Sequence, residues 1–375
     1  MNKKILTVGI AVYNIKEEYL RRCIESVMLN TLSDLEIIIV DDCSDESCSR
    51  VCREYRKADD RIVYIKNSEN KGISGVRNMI IDLAEGEWLS FVDGDDMVSP
   101  SLGVSMGRLK DCENDLIIFN KRTFYDTPHE VSERGEAEKP ARLTALSREK
   151  LCEMAVSALN RTDNVKTETD GFNLNPASVC SVVYRKSFLT DRGFRFNESL
   201  KVAEDSVFSA AVLLGSPRAA LYNETIYYYR INPNSVTNRY DENSKSVTDA
   251  YLKVIAEFIK NNFGDSGEVM SGFIKYRCTR AVIDNFERNI FHRDNPKPRN
   301  KRKSEFYSLL ESEPYKTALL YTDSSLYTNH RIRMTVKLAK KKSFFWLDLF
   351  YNYDILFKIY GGVMHRLNKL KKRFS

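Results

Sequence analysis

The chain is expected to fold as an α/β protein with a mainly parallel central sheet flanked by helices, followed by an all-helical region. Three observations predict this. Apolar runs of strand length alternate with segments that are apolar at helical spacing through the first hundred residues. Acidic residues gather where those strands end. After about residue 240 the helical spacing continues and the strand runs stop.

The first run, ILTVGIAVYN, is rich in branched apolar residues and reads as a buried strand. It flows into polar NIKEEY with no small-residue cleavage site, so it is not read as a signal peptide. In EEYLRRCIESVML the apolar positions Leu20, Ile24, Val27 and Met28 fall on one helical face. LEIIIVDD is the next strand, SCSRVCREYRKA a helix, RIVYIKN a strand, GVRNMIIDLAEG a helix ended by Gly86, and EWLSFVDGDD a strand. Such alternation builds βαβ units, and ligands of open parallel sheets bind beyond the carboxyl ends of the strands.

Those ends carry the chemistry. The first strand finishes in Tyr13 and Asn14, the second in Asp41 and Asp42, and the fourth in Asp93, Asp95 and Asp96. Several carboxylates at one edge raise each other's pKa unless a cation compensates. Hard oxygen donors around an open position suit Mg2+ or Mn2+, which in turn holds a diphosphate. Asp41 and Asp42 have a second reading, as a turn with Ser44 or Asp45 capping the following helix. No P-loop and no GxGxxG follows the first strand, so the sequence does not support a Walker-type or dinucleotide site.

Taken in order, VGIAVYN, SVMLNTLSDLEIIIVDDCSDE and NKGISGVRNMIIDLAEGEWLSFVDGDD resemble the inverting family-two glycosyltransferases, and the match resumes at NPASVCSVVYRKSFL and KVAEDSVFSAAVL. The fold of that family is the nucleotide-sugar-binding GT-A fold, and its bacterial members include enzymes that build surface polysaccharides. The resemblance implies a donor site in which Tyr13 stacks on the nucleobase, Asp42 hydrogen-bonds base or ribose, and Ala11 lends backbone contacts. Asp93 and Asp95 occupy the acidic places of the DxD motif, Asp95 as metal ligand and Asp93 beside the ribose and the metal shell. Arg77 stands where the family often carries a donor-site arginine.

Glu204 and Asp205 precede the helical repeat Val207, Phe208, Ala211 and Leu214, so they sit at a helix N-terminus, where the dipole favours anions. Capping alone explains them. The resemblance makes Asp205 the catalytic base, with Glu204 binding the acceptor or orienting its neighbour. In YYYRINPNSVTNR, Arg230 and Ser235 match the loop that closes the donor site, whereas the usual histidine is Asn232 here. Arg230 and Arg239 are candidates to bind diphosphate, with plain strand packing as the other reading.

Around these motifs the sequence is plainer. The 375 residues are 42% hydrophobic and 29% charged, ordinary globular values. The net charge of +6 is unevenly placed: from Arg331 onward there are twelve basic and two acidic residues, leaving the rest of the chain acidic. That argues against a nucleic-acid groove in the main domain. Eight scattered cysteines suit a reducing, cytoplasmic compartment, and the cluster Cys43, Cys48 and Cys52 lacks the spacing and fourth ligand of a zinc site. No window of transmembrane length is free of charge. DLIIFN reads as a further strand, residues 125–143 as a polar excursion, and residues 164–179 as acceptor lining.

The resulting division is a catalytic domain over 1–239, with a nucleotide-sugar-binding half to residue 110 and an acceptor half from 111, and a helical accessory domain over 240–375. In the latter, NPKPRNKRK is expected to be an exposed basic linker. On a helical wheel of the last stretch, Leu349, Phe350, Tyr353, Leu356, Phe357, Tyr360 and Met364 share a face bracketed by cations. Such a helix suits an anionic membrane surface, or packs on its own domain or in a homodimer. The activity implied is metal-dependent, inverting transfer from a nucleoside-diphosphate sugar, with UDP as the nucleotide, to a glycan or lipid-linked acceptor, at the inner face of the membrane. The rival readings are an inactive interaction protein on the same fold and a sugar nucleotidyltransferase; the latter normally shows a glycine-rich basic N-terminal loop, which VGIAVYNIKEE lacks.

Overall fold

The computed structural model describes residues 4–124, 141–161, 177–231, 239–264, 267–327 and 329–352. Contacts divide them into two units, one running to Ile231 and one from Arg239 onward.

The first unit is built on a nine-stranded sheet of order β3-β2-β1-β4-β8-β6-β9-β5, with β7 also paired to β9. The strands are β1 (Leu6–Val12), β2 (Leu35–Asp41), β3 (Ile62–Lys66), β4 (Trp88–Asp93), β5 (Met97–Val98), β6 (Leu116–Phe124), β7 (Leu143–Ala145), β8 (Val182–Arg185) and β9 (Ala219–Arg230). Strands β3, β2, β1 and β4 run parallel, while β8 and β5 enter antiparallel. Every residue of β1 and β2 is buried, which is why both read as continuous apolar runs rather than alternating ones. The helices are α1 (Glu17–Met28), α2 (Glu46–Ala58), α3 (Gly72–Leu83), α4 (Ser101–Leu109), α5 (Arg148–Asn160), α6 (Lys186–Asp191) and α7 (Glu204–Gly215).

The register fixes the functional edge. Val12 lies opposite Asp41, and Ala11 opposite Asp93, so three parallel strands end level with one another. Gly86 plays a different part from the one expected of it: α3 stops at Leu83, and Ala84 already has extended dihedrals. Gly86 is small because the chain crosses β1 there; a Cβ would lie 2.5 Å from the Thr7 nitrogen.

The second unit is helical among its described residues. It contains α8 (Ser244–Phe263), a helical stretch from Gly267 to Ile290 interrupted by two π-helical turns, α9 (Arg299–Glu311), α10 (Tyr315–Tyr321), α11 (His330–Lys340) and α12 (Phe344–Asn352). The basic run does not form a linker. RNKRK opens α9, with Pro298 at its N-cap, and Arg302 reaches back to the Ile290 carbonyl and to Asp348. No helix among the described residues is long and apolar enough to cross a membrane.

Candidate active site at the carboxyl edge of the sheet

At the ends of β1 and β2 the carboxylates divide by role. Asp41 is fully buried, accepting from the Ser44 amide at 2.8 Å, the Ser49 hydroxyl at 2.6 Å and the Tyr64 hydroxyl at 2.9 Å. Asp42 accepts from the Asn67 side chain at 2.8 Å and from the amides of Lys71 and Gly72 at 2.8 and 2.9 Å, which ties down the loop before α3. Of the two caps expected, Ser44 or Asp45, it is Asp45 that caps α2, accepting from the Cys48 amide. Tyr13 stands 51% exposed beside this edge, a ring offered to solvent where a planar ligand can lie. Asn14, with φ +48°, joins the two strand ends by bonding Ser44 and the Asp45 amide.

The FVDGDD turn leaves β4 tightly. The Gly94 amide donates to the Ala11 carbonyl at 3.0 Å, and a Cβ on Gly94 would sit 2.9 Å from that oxygen. The Ala11 carbonyl is thereby committed inside the protein. Asp96, whose neighbours attracted the sequence argument, is the structural member of the trio: its carboxylate accepts from the Tyr227 hydroxyl and from the Arg230 amide at 2.7 Å. Arg230 is buried, donates from Nε to the Asp95 carbonyl at 2.7 Å, and lies over the rings of Tyr19 and Phe124 at 4.1 and 4.5 Å. It fastens β9 to the turn that presents Asp95.

Arg77 is the hub. Its side chain, 3% exposed on α3, donates to Asp93 at 2.9 Å and to Asp205 at 2.5 Å, and stands 3.5 Å from Glu204. The Phe196 ring lies 5.3 Å from the guanidinium carbon and stacks on Phe208 at 3.8 Å. Glu204 and Asp205 occupy the first turn of α7, entered through Ala203 at φ +70°, a left-handed conformation uncommon outside glycine.

Three carboxylates share one guanidinium, so the cluster favours retaining a proton. Burial, opposed by Arg77 and reinforced by Glu204 and Asp93, pushes the Asp205 carboxyl up to about 8. A helix N-terminus contributes only about 0.3–1 kcal/mol at exposed sites, too little to reverse that. Burial and then Asp93 raise Asp95, and burial raises Asp96. Lys121 on β6 feels the same carboxylates, but burial lowers its ammonium. The Cys180 thiol lies 3.8 Å from Asp93. Phe196, Cys180, Lys121 and Tyr227 were not singled out by sequence reasoning; they come from strands and loops whose meeting no local pattern shows.

Five carboxylates (Asp93, Asp95, Asp96, Glu204 and Asp205) thus stand against three cations (Arg77, Lys121 and Arg230). Carboxyl groups crowded in this number beside few cations either keep protons or take up a divalent cation that discharges them. Asp95 is the candidate ligand for such an ion, being the member of the trio whose carboxylate is engaged neither by Arg77, which holds Asp93, nor by Tyr227, which holds Asp96. No group of three or more metal-ligating side chains is preassembled among the described residues.

Residues 7–174 match the Glycosyl transferase family 2. EpsH of Bacillus subtilis is 29% identical over 264 residues, 70% of this chain and 71% of EpsH. The succinoglycan biosynthesis protein ExoO of Rhizobium meliloti is 25% identical over 62% of each chain. The crystal structure of residues 1–349 of S. aureus TarS in complex with UDP-GlcNAc shares the fold, with a TM-score of 0.55 and 16% identity across 92% of this chain and 90% of that one. The matched region, the relatives and the shared fold agree: this chain carries a glycosyl transferase family 2 domain on a GT-A fold and is a glycosyltransferase.

Proposed function

We propose that the protein transfers a sugar, with inversion, from a UDP-sugar to a glycan or lipid-linked saccharide in assembly of a capsular, exopolysaccharide or lipopolysaccharide-type glycan. The observation that carries the reading is the Arg77 hub, which brings Asp205 and the DGDD turn onto one guanidinium. The UDP-GlcNAc complex of TarS and the polysaccharide named for ExoO support the donor and the product class.

In this account Tyr13 stacks on the base, the loop ordered by Asp42 borders base and ribose, and Ala11 sets the height of the DGDD turn. Arg230 acts by holding that turn, and Arg77 serves the base more than the donor. Asp95, with Asp93, would hold Mn2+ or Mg2+, which when bound supplies charge neutralisation for the leaving diphosphate. Asp205 takes the proton from an acceptor hydroxyl as that oxygen attacks the anomeric carbon from the face opposite the diphosphate. One carboxylate suffices for this and no covalent intermediate forms; Glu204 orients its neighbour or binds the acceptor. Residues 1–239 would do this work and 240–375 assist it, at the inner face of the cell membrane, where lipid-linked acceptors are found.

The reading is tested by calorimetric titration with UDP, GDP and other nucleoside diphosphates, with and without manganese. UDP binding that requires metal is expected; no binding of any nucleotide in the presence of metal would leave the fold without a working donor site.

A base with a raised pKa also fixes the pH profile. Burial, reinforced by Glu204 and Asp93, holds the Asp205 carboxyl above the usual carboxylate range, so its capacity to accept a proton grows as the pH rises. The profile of kcat/KM is therefore expected to rise with pH along an acid limb set by Asp205. Arg77→Gln removes the cation that opposes this shift, so the limb moves to higher pH by about 1–3 units. A limb that stays put in Arg77→Gln would show that the arginine does not serve the base.

A further inference from the structure

The second unit presents an aromatic face that its own packing does not use. Helix α12 turns Phe344 and Leu347 inward, both buried, and Tyr351 stacks on Phe291 at 5.3 Å, so positions spaced by three and four form the packed stripe. Leu349 and Phe350, the described members of the face read from the wheel, are half-buried. Phe345 and Trp346 point the other way. Each is 57% exposed, and their rings meet edge to face at 5.2 Å.

Cations frame that pair. Lys341 and Lys342 are exposed immediately before the helix, and the Arg299 guanidinium stands 5.9 Å from the Phe345 ring, with Lys303 one turn further along the same face of α9. Two nearby carboxylates are each held by these cations: Asp348 by Arg299 at 2.8 Å and by Arg302 at 3.3 Å, and Glu311 by Lys342. The named cations outnumber them, leaving positive charge around two exposed aromatic rings.

We propose that the Phe345–Trp346 face of α12 docks on an anionic lipid surface, the two rings entering the headgroup region while Lys341, Lys342, Arg299 and Lys303 meet lipid phosphates. Tryptophan and phenylalanine are well suited to that interface, and basic side chains near it gain from the negative surface potential. The sequence continues past residue 352 with Lys358, Arg366, Lys369, Lys371, Lys372 and Arg373, which adds charge of the same sign. The inference concerns a surface of the helical unit and rests on the proposed function only for the use such docking would have.

The protein contains its own reporter. Of its two tryptophans, Trp88 is fully buried and Trp346 is exposed, so a change in solvent exposure reads out at Trp346. Full-length protein is mixed with phosphatidylcholine vesicles, with and without phosphatidylglycerol, and with lipids brominated on the acyl chain. Expected are a blue shift and bromine quenching only with phosphatidylglycerol, weakened by salt and lost in Trp346→Phe. Phe345→Ser is expected to weaken partitioning by at least about tenfold, at unchanged far-ultraviolet circular dichroism and unchanged nucleotide binding. Absence of vesicle binding would overturn the proposal. So would co-sedimentation without any change in Trp346 emission, which would put the contact elsewhere, or a blue shift that grows with protein concentration in the absence of lipid, which would make the partner a second copy of this chain. Because nucleotide binding is measured on the same samples, failure of the docking surface is distinguishable from failure of the donor site.

Discussion

Asp205→Asn is expected to lower kcat for sugar transfer by about 10²–10⁴-fold while leaving nucleotide affinity within a factor of about two. Asparagine fills the same space beside Arg77 but cannot accept the proton of an attacking hydroxyl. It also removes one of the carboxylates gathered on one buried guanidinium, so the melting temperature of the variant should be equal to that of the parent or higher, as for other groups held in place for chemistry at a cost in stability. Steady-state kinetics together with a thermal melt check both halves. Transfer retained within about tenfold of the parent would remove Asp205 from the role of base. A large fall in melting temperature would mean that the side chain is a structural anchor of α7.

Asp95→Ala should act on the other half of the reaction. Burial and then Asp93 raise its carboxyl, whereas Asp96 is engaged by Tyr227 and the Arg230 amide, and Asp93 by Arg77. Loss of Asp95 is expected to weaken UDP binding in manganese by at least about a hundredfold, and to abolish the difference between titrations with and without metal. Asp96→Ala is predicted to differ in kind, lowering stability by about 1–3 kcal/mol because two donors lose their buried acceptor. If Asp95→Ala binds UDP and manganese like the parent, the metal is held by other groups.

The parts of this site that were legible in the sequence are those set by local pattern. Parallel strands buried on both faces show as apolar runs, and the residues that follow them share an edge because the register brings their ends level, as at Val12, Asp41 and Asp93. What local pattern cannot show is which side chains meet. Arg77 and Asp205 are 128 positions apart, and their contact depends on α3 and α7 converging. Asp42 reads as a ligand-facing carboxylate, yet the amides of Lys71 and Gly72 already occupy much of its capacity, because the loop before α3 folds back over it. The charge and the prolines of NPKPRNKRK mark a linker, but arginine and lysine are good helix formers once Pro298 has set the start. The readings at Asn232 and Ser235, residues 125–140 of the polar excursion, residues 164–176 of the acceptor segment and the wheel beyond residue 352 lie outside the described residues, while Leu143, at the end of the excursion, belongs to β7.

Inversion by a single displacement at the anomeric carbon can be tested without knowing the acceptor. Water reaching the site in its place would be activated by Asp205 and would hydrolyse the donor slowly. Proton nuclear magnetic resonance, recorded during the first turnovers of an α-linked UDP-sugar with manganese and before the free sugar mutarotates, reports the anomer released. The β anomer is expected, at a rate that falls in Asp205→Asn. Release of the α anomer would mean retention of configuration, and would contradict a mechanism in which one carboxylate delivers the acceptor from the face opposite the diphosphate.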